Sequence, residues 1–236
     1  MGRTLTGMTP ADVSSNRAVL FDIDGTLIDS NYLHINAWGR AFAAVDHPVD
    51  AWRIHRAIGM DSAKLMQALV GDETERIGAE AKRLHGVYIA QTASLLRPFG
   101  RARELLRMLA ARDVRVLLAT SAPPEELERL LLALDCEDAI FAVTSAEDVE
   151  NAKPDPEVVQ VALEKGGVTA ENAIMVGDAV WDIEAAARAG VSCVAVESGG
   201  TGEAQLRAAG AVAVYGDPAE LLDALDTGPL ARLWVD

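Results

Sequence analysis

The feature of this chain that most constrains its fold is the alternation of short apolar runs with longer amphipathic segments. The apolar runs lie at residues 18–21, 114–119, 139–143, 173–176, 191–196 and 211–214. Segments with helical spacing lie at residues 102–111, 125–134, 156–165, 183–189, 202–209 and 218–225. Near-continuous apolar strands are typical of sheets buried on both faces, and strand–helix alternation is typical of parallel sheets. The pattern therefore predicts an α/β fold with a Rossmann-like, doubly wound parallel sheet.

One stretch departs from this alternation. Between residues 31 and 97 we predict no strand, and apolar residues such as Leu33, Ala37 and Phe42 recur at helical spacing. About 65 residues is too long for a simple crossover between two strands. We therefore predict a helical cap domain at residues 31–97, inserted into a core formed by residues 17–30 and 98–236. Residues 1–16 are predicted to be a flexible N-terminal segment.

The charge and the cysteines bear on partners and location. The net charge is −15, with 21 basic and 36 acidic residues, which disfavours nucleic acid and anionic membranes as partners. An anionic substrate would need a metal or local cations. Two distant cysteines, Cys136 and Cys193, predict neither a zinc site nor a disulfide, and residues 1–16 lack the apolar core of a signal peptide. We expect a cytoplasmic protein that is a monomer or a homodimer.

Polar side chains follow four of the apolar runs. Because ligands of parallel sheets bind at the carboxyl ends of the strands, these side chains should converge on one edge. They are Asp22 and Asp24 after the first run, Thr120 and Ser121 after the second, Lys153 beyond the third, and Asp178 and Asp182 after the fourth.

Asp22 and Asp24 should point to the same side of an extended strand. Two such carboxylates repel each other unless one binds a proton or a cation lies between them. Gly25 would let the chain turn sharply after the strand. The alternative is an Asx-turn in which Asp24 caps the turn and Asp22 is exposed.

Asp178 and Asp182 add oxygen ligands from a second loop, and two acidic loops at one edge are typical of a Mg²⁺ site. A structural interpretation stays open for both residues. Asp178 could cap the following helix, and Asp182 could be favoured by the dipole of that helix.

Lys153 precedes Pro154 and Pro156, which flank Asp155 and stiffen the backbone. Its ammonium could neutralise an attacking carboxylate or hold a phosphoryl oxygen. Thr120 or Ser121 could donate hydrogen bonds to the same oxygens, although a turn at the end of the strand explains these hydroxyls equally well.

Taken together, the motifs resemble those of the haloacid dehalogenase superfamily of phosphotransferases. The match consists of DIDGTL at residues 22–27, Thr120 after a strand, KPDP at 153–156 and GDAVWD at 177–182. All four motifs occur in the family's order, and they cover the core from about residue 17 to residue 200. A helical cap between the first two motifs resembles the subfamily of phosphoglycolate phosphatases and β-phosphoglucomutases.

The resemblance implies a Mg²⁺-dependent phosphohydrolase of a small phosphorylated metabolite. Asp22 would attack phosphorus to form an aspartyl-phosphate, and Asp24 would act as general acid and base. Thr120 would hold the phosphoryl group, and Lys153 would offset its charge. Ser121, Gly25 and Thr26 are further candidates for phosphate binding. The Mg²⁺ ligands would be Asp22, the backbone carbonyl of Asp24, and Asp178, with Asp182 a ligand or a partner of one.

Substrate specificity is expected to lie in the cap. The candidates are His34, Trp38, Arg53, His55, Arg56, Met60, Ser62 and Lys64. Among them we expect His34, Arg56 and Lys64 to bind substrate, whereas Trp38 fits the cap core better. The segment from Arg56 to Ser62 resembles the substrate-specificity loop of the family.

Three other functions are compatible with parts of this pattern. A dehalogenase would not need Asp24. A sugar-phosphate mutase of the same cap type carries a lysine and an arginine where this chain has Ile58 and Ser62, which favours hydrolysis. A catalytically silent binding protein would have no use for the intact acidic set. Phosphoglycolate or a sugar phosphate is the favoured substrate.

Overall fold

The structure is a computed structural model that describes residues 16–60 and 62–234. Its centre is a six-stranded sheet in the order β3-β2-β1-β4-β5-β6, in which every pairing is parallel. The strands are β1 (Ala18–Phe21), β2 (Arg115–Leu118), β3 (Ala142–Val143), β4 (Ala173–Gly177), β5 (Ser192–Val196) and β6 (Ala213–Tyr215). The predicted parallel α/β fold is confirmed. The predicted flexible segment at 1–16 lies almost entirely outside the described residues.

Helices cover both faces of this sheet. One face packs against α5 (Ala102–Ala111), α6 (Pro124–Leu134) and α10 (Pro218–Asp223), and the other against α7 (Glu157–Gly166), α8 (Val180–Arg188) and α9 (Glu203–Ala209). In β1, Val19 and Phe21 belong to the first core and Ala18 and Leu20 to the second, and all four are fully buried. This two-sided burial is the reason that the strand sequences are apolar at consecutive positions.

The third strand is shorter than the sequence predicted. The expected strand at residues 139–143 begins instead with a 3₁₀ turn, Glu137–Ala139, and only Ala142 and Val143 pair with β2. Because β3 is the edge strand of the sheet, Phe141 beside it remains 55% exposed. An apolar run at an edge is not enclosed by two neighbours, which explains the shorter ladder.

Within its described part, the segment at residues 31–97 contains helices and turns but no strand. It contains α1 (Asn31–Ala44), α2 (Ala51–Ala57), α3 (Ser62–Val70) and α4 (Thr74–Ala90), joined by short turns. These helices enclose an apolar cluster of their own, which includes Phe42, Ile54 and Leu65. The chain enters this helical segment and leaves it along two stretches of backbone that lie side by side. Asp29 N–H donates to the Arg97 carbonyl (2.8 Å), and Phe99 N–H donates to the Leu27 carbonyl (2.9 Å). The domain boundaries themselves stay a prediction.

Among residues 16–60 and 62–234, none of the helices combines the length and the apolar character that crossing a bilayer requires. Both cysteines are buried and unpaired, as expected. What matters for the site is the sheet order, which places β1 between β2 and β4. The loops that follow these three strands therefore meet at one edge.

Candidate active site

Four aspartates, Asp22, Asp24, Asp178 and Asp182, follow the strands at one edge of the sheet, which we call the acidic edge. Lys153 is the buried cation at this edge. Its Nζ lies 2.5 Å from Asp22 Oδ1 and 2.7 Å from Asp182 Oδ1, and the lysine is 3% exposed. The contact with Asp182 has the distance of an ion pair but not the angles of a hydrogen bond. A buried lysine between two carboxylates is stabilised only by those partners, and accordingly they raise the pKa of Lys153 against the lowering effect of its burial.

Asp182 has a second, structural contact. Its Oδ2 accepts a hydrogen bond from Ala179 N–H (3.0 Å) at the start of α8. The helix-terminal role that the sequence left open for Asp182 is therefore present, together with the contact to Lys153.

Asp178 is held by two side chains from the first loop and from α1. Thr26 Oγ1 donates to Asp178 Oδ1 (3.0 Å), and Asn31 Nδ2 donates to Asp178 Oδ2 (2.8 Å) and to the Gly199 carbonyl (3.1 Å). A Cβ on Gly199 would overlap the Asp178 carboxylate, so the backbone after β5 approaches too closely for any other residue. Thr26 thus contacts Asp178 and is not among the residues of the cavity wall.

Asp24 lies beside a hydroxyl and an imidazole. Ser30 Oγ donates to Asp24 Oδ1 (2.5 Å), and His34 Nε2 lies 3.4 Å from the same oxygen. The same Nε2 lies 3.5 Å from Glu126 Oε1, and His34 Nδ1 is 3.1 Å from His85 Nε2. His34 is therefore enclosed by two carboxylates and a second imidazole.

The pKa values of His34 and His85 are shifted in opposite directions by their surroundings. Although burial lowers the pKa of His34, Glu126 and Asp24 together raise it to about 9. Burial and the neighbouring His34 lower the pKa of His85 to about 3. His34 is thus the protonated imidazole of the pair, and His85 Nε2 accepts its hydrogen bond.

The acidic edge is suited to a divalent cation. Burial raises the pKa of Asp22 to about 7 against the opposing effect of Lys153, and burial and neighbouring carboxylates raise the pKa of Asp178 well above its usual range. Oxygens of Asp22, Asp178 and Asp182 all lie within 4.8 Å of one another. Since a cation would relieve this repulsion, and since hard carboxylate oxygens are the ligands that Mg²⁺ prefers, the residues fit the predicted ion.

Thr120 takes part in a turn at the end of β2. Its Oγ1 accepts from Ala122 N–H (3.0 Å), and its own N–H donates to Thr144 Oγ1 (2.9 Å). The turn that the sequence left open as an alternative is therefore formed. The hydroxyl hydrogen of Thr120 can still be donated elsewhere.

A cavity of about 400 Å³ opens above this edge, between the loops that follow the strands and the helices α1, α3 and α4. The structure brings most of the predicted residues to its wall: Asp22, Asp24, His34, Trp38, Met60, Ser62, Thr120, Ser121, Lys153 and Asp178. Asp182, Gly25 and Thr26 lie next to that wall rather than in it.

Two expected cations are not brought to the cavity. The Arg56 guanidinium is exposed and lies 4.9 Å above the ring of Trp52, one helical turn earlier in α2. Lys64 Nζ donates to the Ala152 carbonyl (3.1 Å), so it joins α3 to the loop that carries Lys153. The other two cap candidates also lie elsewhere: Arg53 donates to the Leu69 carbonyl (3.1 Å), and the His55 ring lies 5.7 Å from that of Tyr32.

Among the polar residues of the cavity wall, five were not predicted from the sequence: Asn31, Lys82, His85, Glu126 and Glu150. Asn31 and Glu126 lie in the first turns of α1 and α6, where a polar residue is ordinarily explained by the helix end. His85 and Lys82 lie one turn apart on α4. Only the packing of α4 on α1 brings His85 against His34 and Trp38.

The parallel sheet and its acidic edge define an α/β enzyme that handles an anionic group with the help of cations. The family model for haloacid dehalogenase-like hydrolases matches residues 16–190, and the chain therefore belongs to that family. This confirms the resemblance carried by the motifs.

Named relatives agree with this assignment. The chain is 32% identical over 215 residues to a phosphorylated carbohydrates phosphatase from Thermotoga maritima, covering 88% of this chain and 97% of the relative. It is 32% identical over 217 residues to a phosphoglycolate phosphatase from Rhodospirillum rubrum, covering 88% and 90%. The crystal structure of a hydrolase from Pseudomonas syringae superposes with a TM-score of 0.84 at 33% identity, covering 89% and 97%. The predicted class of enzyme, a phosphatase of this superfamily, is confirmed by these relatives.

Proposed function

We propose that this protein is a Mg²⁺-dependent phosphomonoesterase that cleaves a small phosphorylated metabolite through an aspartyl-phosphate on Asp22. The observation that carries the proposal is the contact of Asp22 with Lys153 (2.5 Å) at an edge shared with Asp178. A carboxylate paired with a cation, beside ligands for a second cation, can approach a phosphate that it would otherwise repel.

In the first step, an Asp22 oxygen forms a bond to phosphorus, and the bond between phosphorus and the ester oxygen breaks. Asp24 donates a proton to the leaving oxygen. In the second step, a water molecule attacks phosphorus, its proton passes to Asp24, and the bond to Asp22 breaks. Ser30 and His34 fix the Asp24 carboxyl for both transfers.

Lys153 and Thr120 have supporting roles in this proposal. The ammonium of Lys153 offsets the charge of the phosphoryl oxygens. Thr120 and the neighbouring Ser121 donate hydrogen bonds to the same oxygens, because both line the cavity beside Asp22. Gly25 and Thr26 shape the loop and hold Asp178, and so act on the phosphate indirectly.

Mg²⁺ would be held by Asp22, the backbone carbonyl of Asp24, and Asp178. When bound, it would supply screening between the nucleophile and the phosphate and would polarise the P–O bonds. Asp182 is assigned to positioning, since its two oxygens already contact Lys153 and Ala179 N–H.

The helices α1 to α4 act as a cap that selects the substrate. Phosphoglycolate and sugar phosphates are the favoured candidates, since two relatives that are 32% identical over most of this chain bear those names. The cytoplasmic location and the monomeric or dimeric state stay predictions.

The test is a panel of phosphate esters that includes phosphoglycolate, hexose phosphates, β-glucose 1-phosphate and polyol phosphates. We expect release of phosphate that requires Mg²⁺, stops with EDTA, and is abolished in Asp22→Asn. Asp29→Asn is the matched control, since Asp29 is exposed and lies seven positions further along the same loop. Conversion of β-glucose 1-phosphate to glucose 6-phosphate without release of phosphate would instead identify a mutase.

A further inference from the structure

Glu126 is a carboxylate in the cavity wall that the steps above do not use. It lies in the first turn of α6, and its side chain is 15% exposed. Its Oε1 is 3.5 Å from His34 Nε2, the atom that also lies 3.4 Å from Asp24 Oδ1. Glu126 is therefore on the Asp24 side of the cavity, where the leaving group of the ester must lie.

Burial of a carboxylate costs free energy unless it is paired. Among the residues that the structure describes, His34 is the charged side chain within ion-pair distance of Glu126. A carboxylate has two oxygens and about four lone-pair sites, so this contact leaves Glu126 able to accept hydrogen bonds from a ligand.

The cation nearest to Glu126 is His34, whose charge is shared with Asp24, and the other cations near the cavity contact other groups or are exposed. Arg56 stacks on Trp52, and Lys64 donates to the Ala152 carbonyl. Lys153 lies between Asp22 and Asp182, and Lys82 is an exposed residue of the cavity wall. An anion on the leaving group beside Glu126 would therefore meet two carboxylates, Glu126 and Asp24, that share the single charge of His34.

A hydroxylated leaving group fits the same wall. Hydroxyl groups can donate to Glu126 and can exchange hydrogen bonds with Ser121 and His85, which line the same cavity. With about 30 Å³ for each water molecule of liquid volume, the cavity of about 400 Å³ is far larger than a two-carbon acid requires. It has room for a sugar or a polyol chain next to the phosphoryl group.

We propose that Glu126 is a specificity-determining residue that selects phosphate esters of uncharged, polyhydroxylated leaving groups and disfavours esters whose leaving group carries a carboxylate. The inference rests on the proposed function and narrows its substrate class to sugar and polyol phosphates. Glu126 hydrogen-bonds substrate hydroxyls and repels an anion at the same place.

The experiment compares kcat and KM of the wild type and Glu126→Gln on three esters: glucose 6-phosphate, phosphoglycolate and p-nitrophenyl phosphate. The last has neither hydroxyls nor a carboxylate on its leaving group. Glutamine keeps the shape of the side chain and removes its charge. Glu125→Gln, at the exposed neighbouring position, is the matched control, and thermal unfolding verifies that both variants fold.

We expect the wild type to prefer glucose 6-phosphate over phosphoglycolate by at least about tenfold in kcat/KM. In Glu126→Gln, kcat/KM for glucose 6-phosphate should fall about tenfold more than kcat/KM for p-nitrophenyl phosphate, mostly through a higher KM. The kcat/KM for phosphoglycolate should rise relative to the values for both other esters. Glu125→Gln should retain the wild-type ratios.

Two results would overturn the inference while leaving the phosphatase assignment intact. One is a wild-type preference for phosphoglycolate. The other is an equal decrease in kcat/KM for all three esters in Glu126→Gln, which would mean that Glu126 acts only through His34 and Asp24. If the wild type releases phosphate from none of the three esters and from none of the wider panel, the proposed function itself fails, and the inference fails with it.

Discussion

The ammonium of Lys153 lies 2.5 Å from the carboxylate of Asp22, although the two residues are 131 positions apart in the chain. The loop after β1 supplies the carboxylate, and the loop beyond β3 supplies the cation. Both side chains are largely buried, so each depends on the other for its charged state.

Replacing Lys153 with methionine should destabilise the protein. The change leaves Asp22 and Asp182 buried without their shared cation, and breaking such a pair costs about 3–5 kcal/mol. Urea unfolding at neutral pH without Mg²⁺ measures the loss. Lys165→Met is the control, because Lys165 pairs with Asp148 near the surface and should contribute under about 1 kcal/mol. Equal losses for the two variants would contradict this account of Lys153.

Replacing Asn31 with alanine should weaken Mg²⁺ binding. Asn31 orients Asp178 through a 2.8 Å hydrogen bond, and the loss of such a partner of a metal ligand typically costs about 10–100-fold in affinity. Isothermal titration with Mg²⁺ measures the change. Asn36→Ala, at an exposed position of the same helix, should bind as the wild type does. Unchanged affinity in Asn31→Ala would show that Asp178 needs no support from α1.

Gly199→Ala should also impair Mg²⁺ binding, for a steric reason. A Cβ at this position overlaps the Asp178 carboxylate and must displace it. We expect at least about a tenfold loss of Mg²⁺ affinity, on the scale of other disturbances around metal ligands. Gly202→Ala is the control, since its added Cβ would have no heavy atom within 4 Å. If both variants bind Mg²⁺ equally well, Asp178 is not held against Gly199 as described.

The stabilisation by Mg²⁺ should depend on pH. Burial raises the pKa of Asp22 to about 7, against about 4 in the unfolded chain, so the folded metal-free protein binds the extra proton. The contribution of Asp22 to the free energy of unfolding therefore falls as pH rises from about 4 to about 7. Mg²⁺ must compete with this proton, and the increase in Tm that it causes should be larger at pH 8 than at pH 5.5. A Tm increase that is equal at both pH values would contradict the assignment of Asp22 as a ligand.

Much of the site was predictable from strand ends. Asp22, Asp24, Thr120 and Asp178 directly follow strands, and parallel pairing brings strand ends together whatever the details of packing. The bounds of most strands and helices also followed from the apolar period. The edge strand β3 was predicted too long, because exposure at the edge of a sheet is not visible in a run of apolar residues.

The upper part of the site was not predictable in the same way. Glu126, His85 and His34 come together only because α4 and α6 approach α1 in the folded chain. The position of Arg56 could have been anticipated, since Trp52 precedes it by four residues and a guanidinium stacks readily on an indole at that spacing. The residues at strand ends could be predicted because the order of the strands alone brings them together. The residues near His34 could not, because their positions depend on how the helices pack.

The most direct test of the central claim is to trap the phosphorylated protein. The enzyme is mixed with a ³²P-labelled substrate from the panel and Mg²⁺, quenched in acid within one turnover, and digested for mass spectrometry. The account predicts a hydroxylamine-labile phosphate on Asp22 in the wild type and in Asp29→Asn, and none in Asp22→Asn. Full turnover by Asp22→Asn, or a phosphate on another residue, would contradict it.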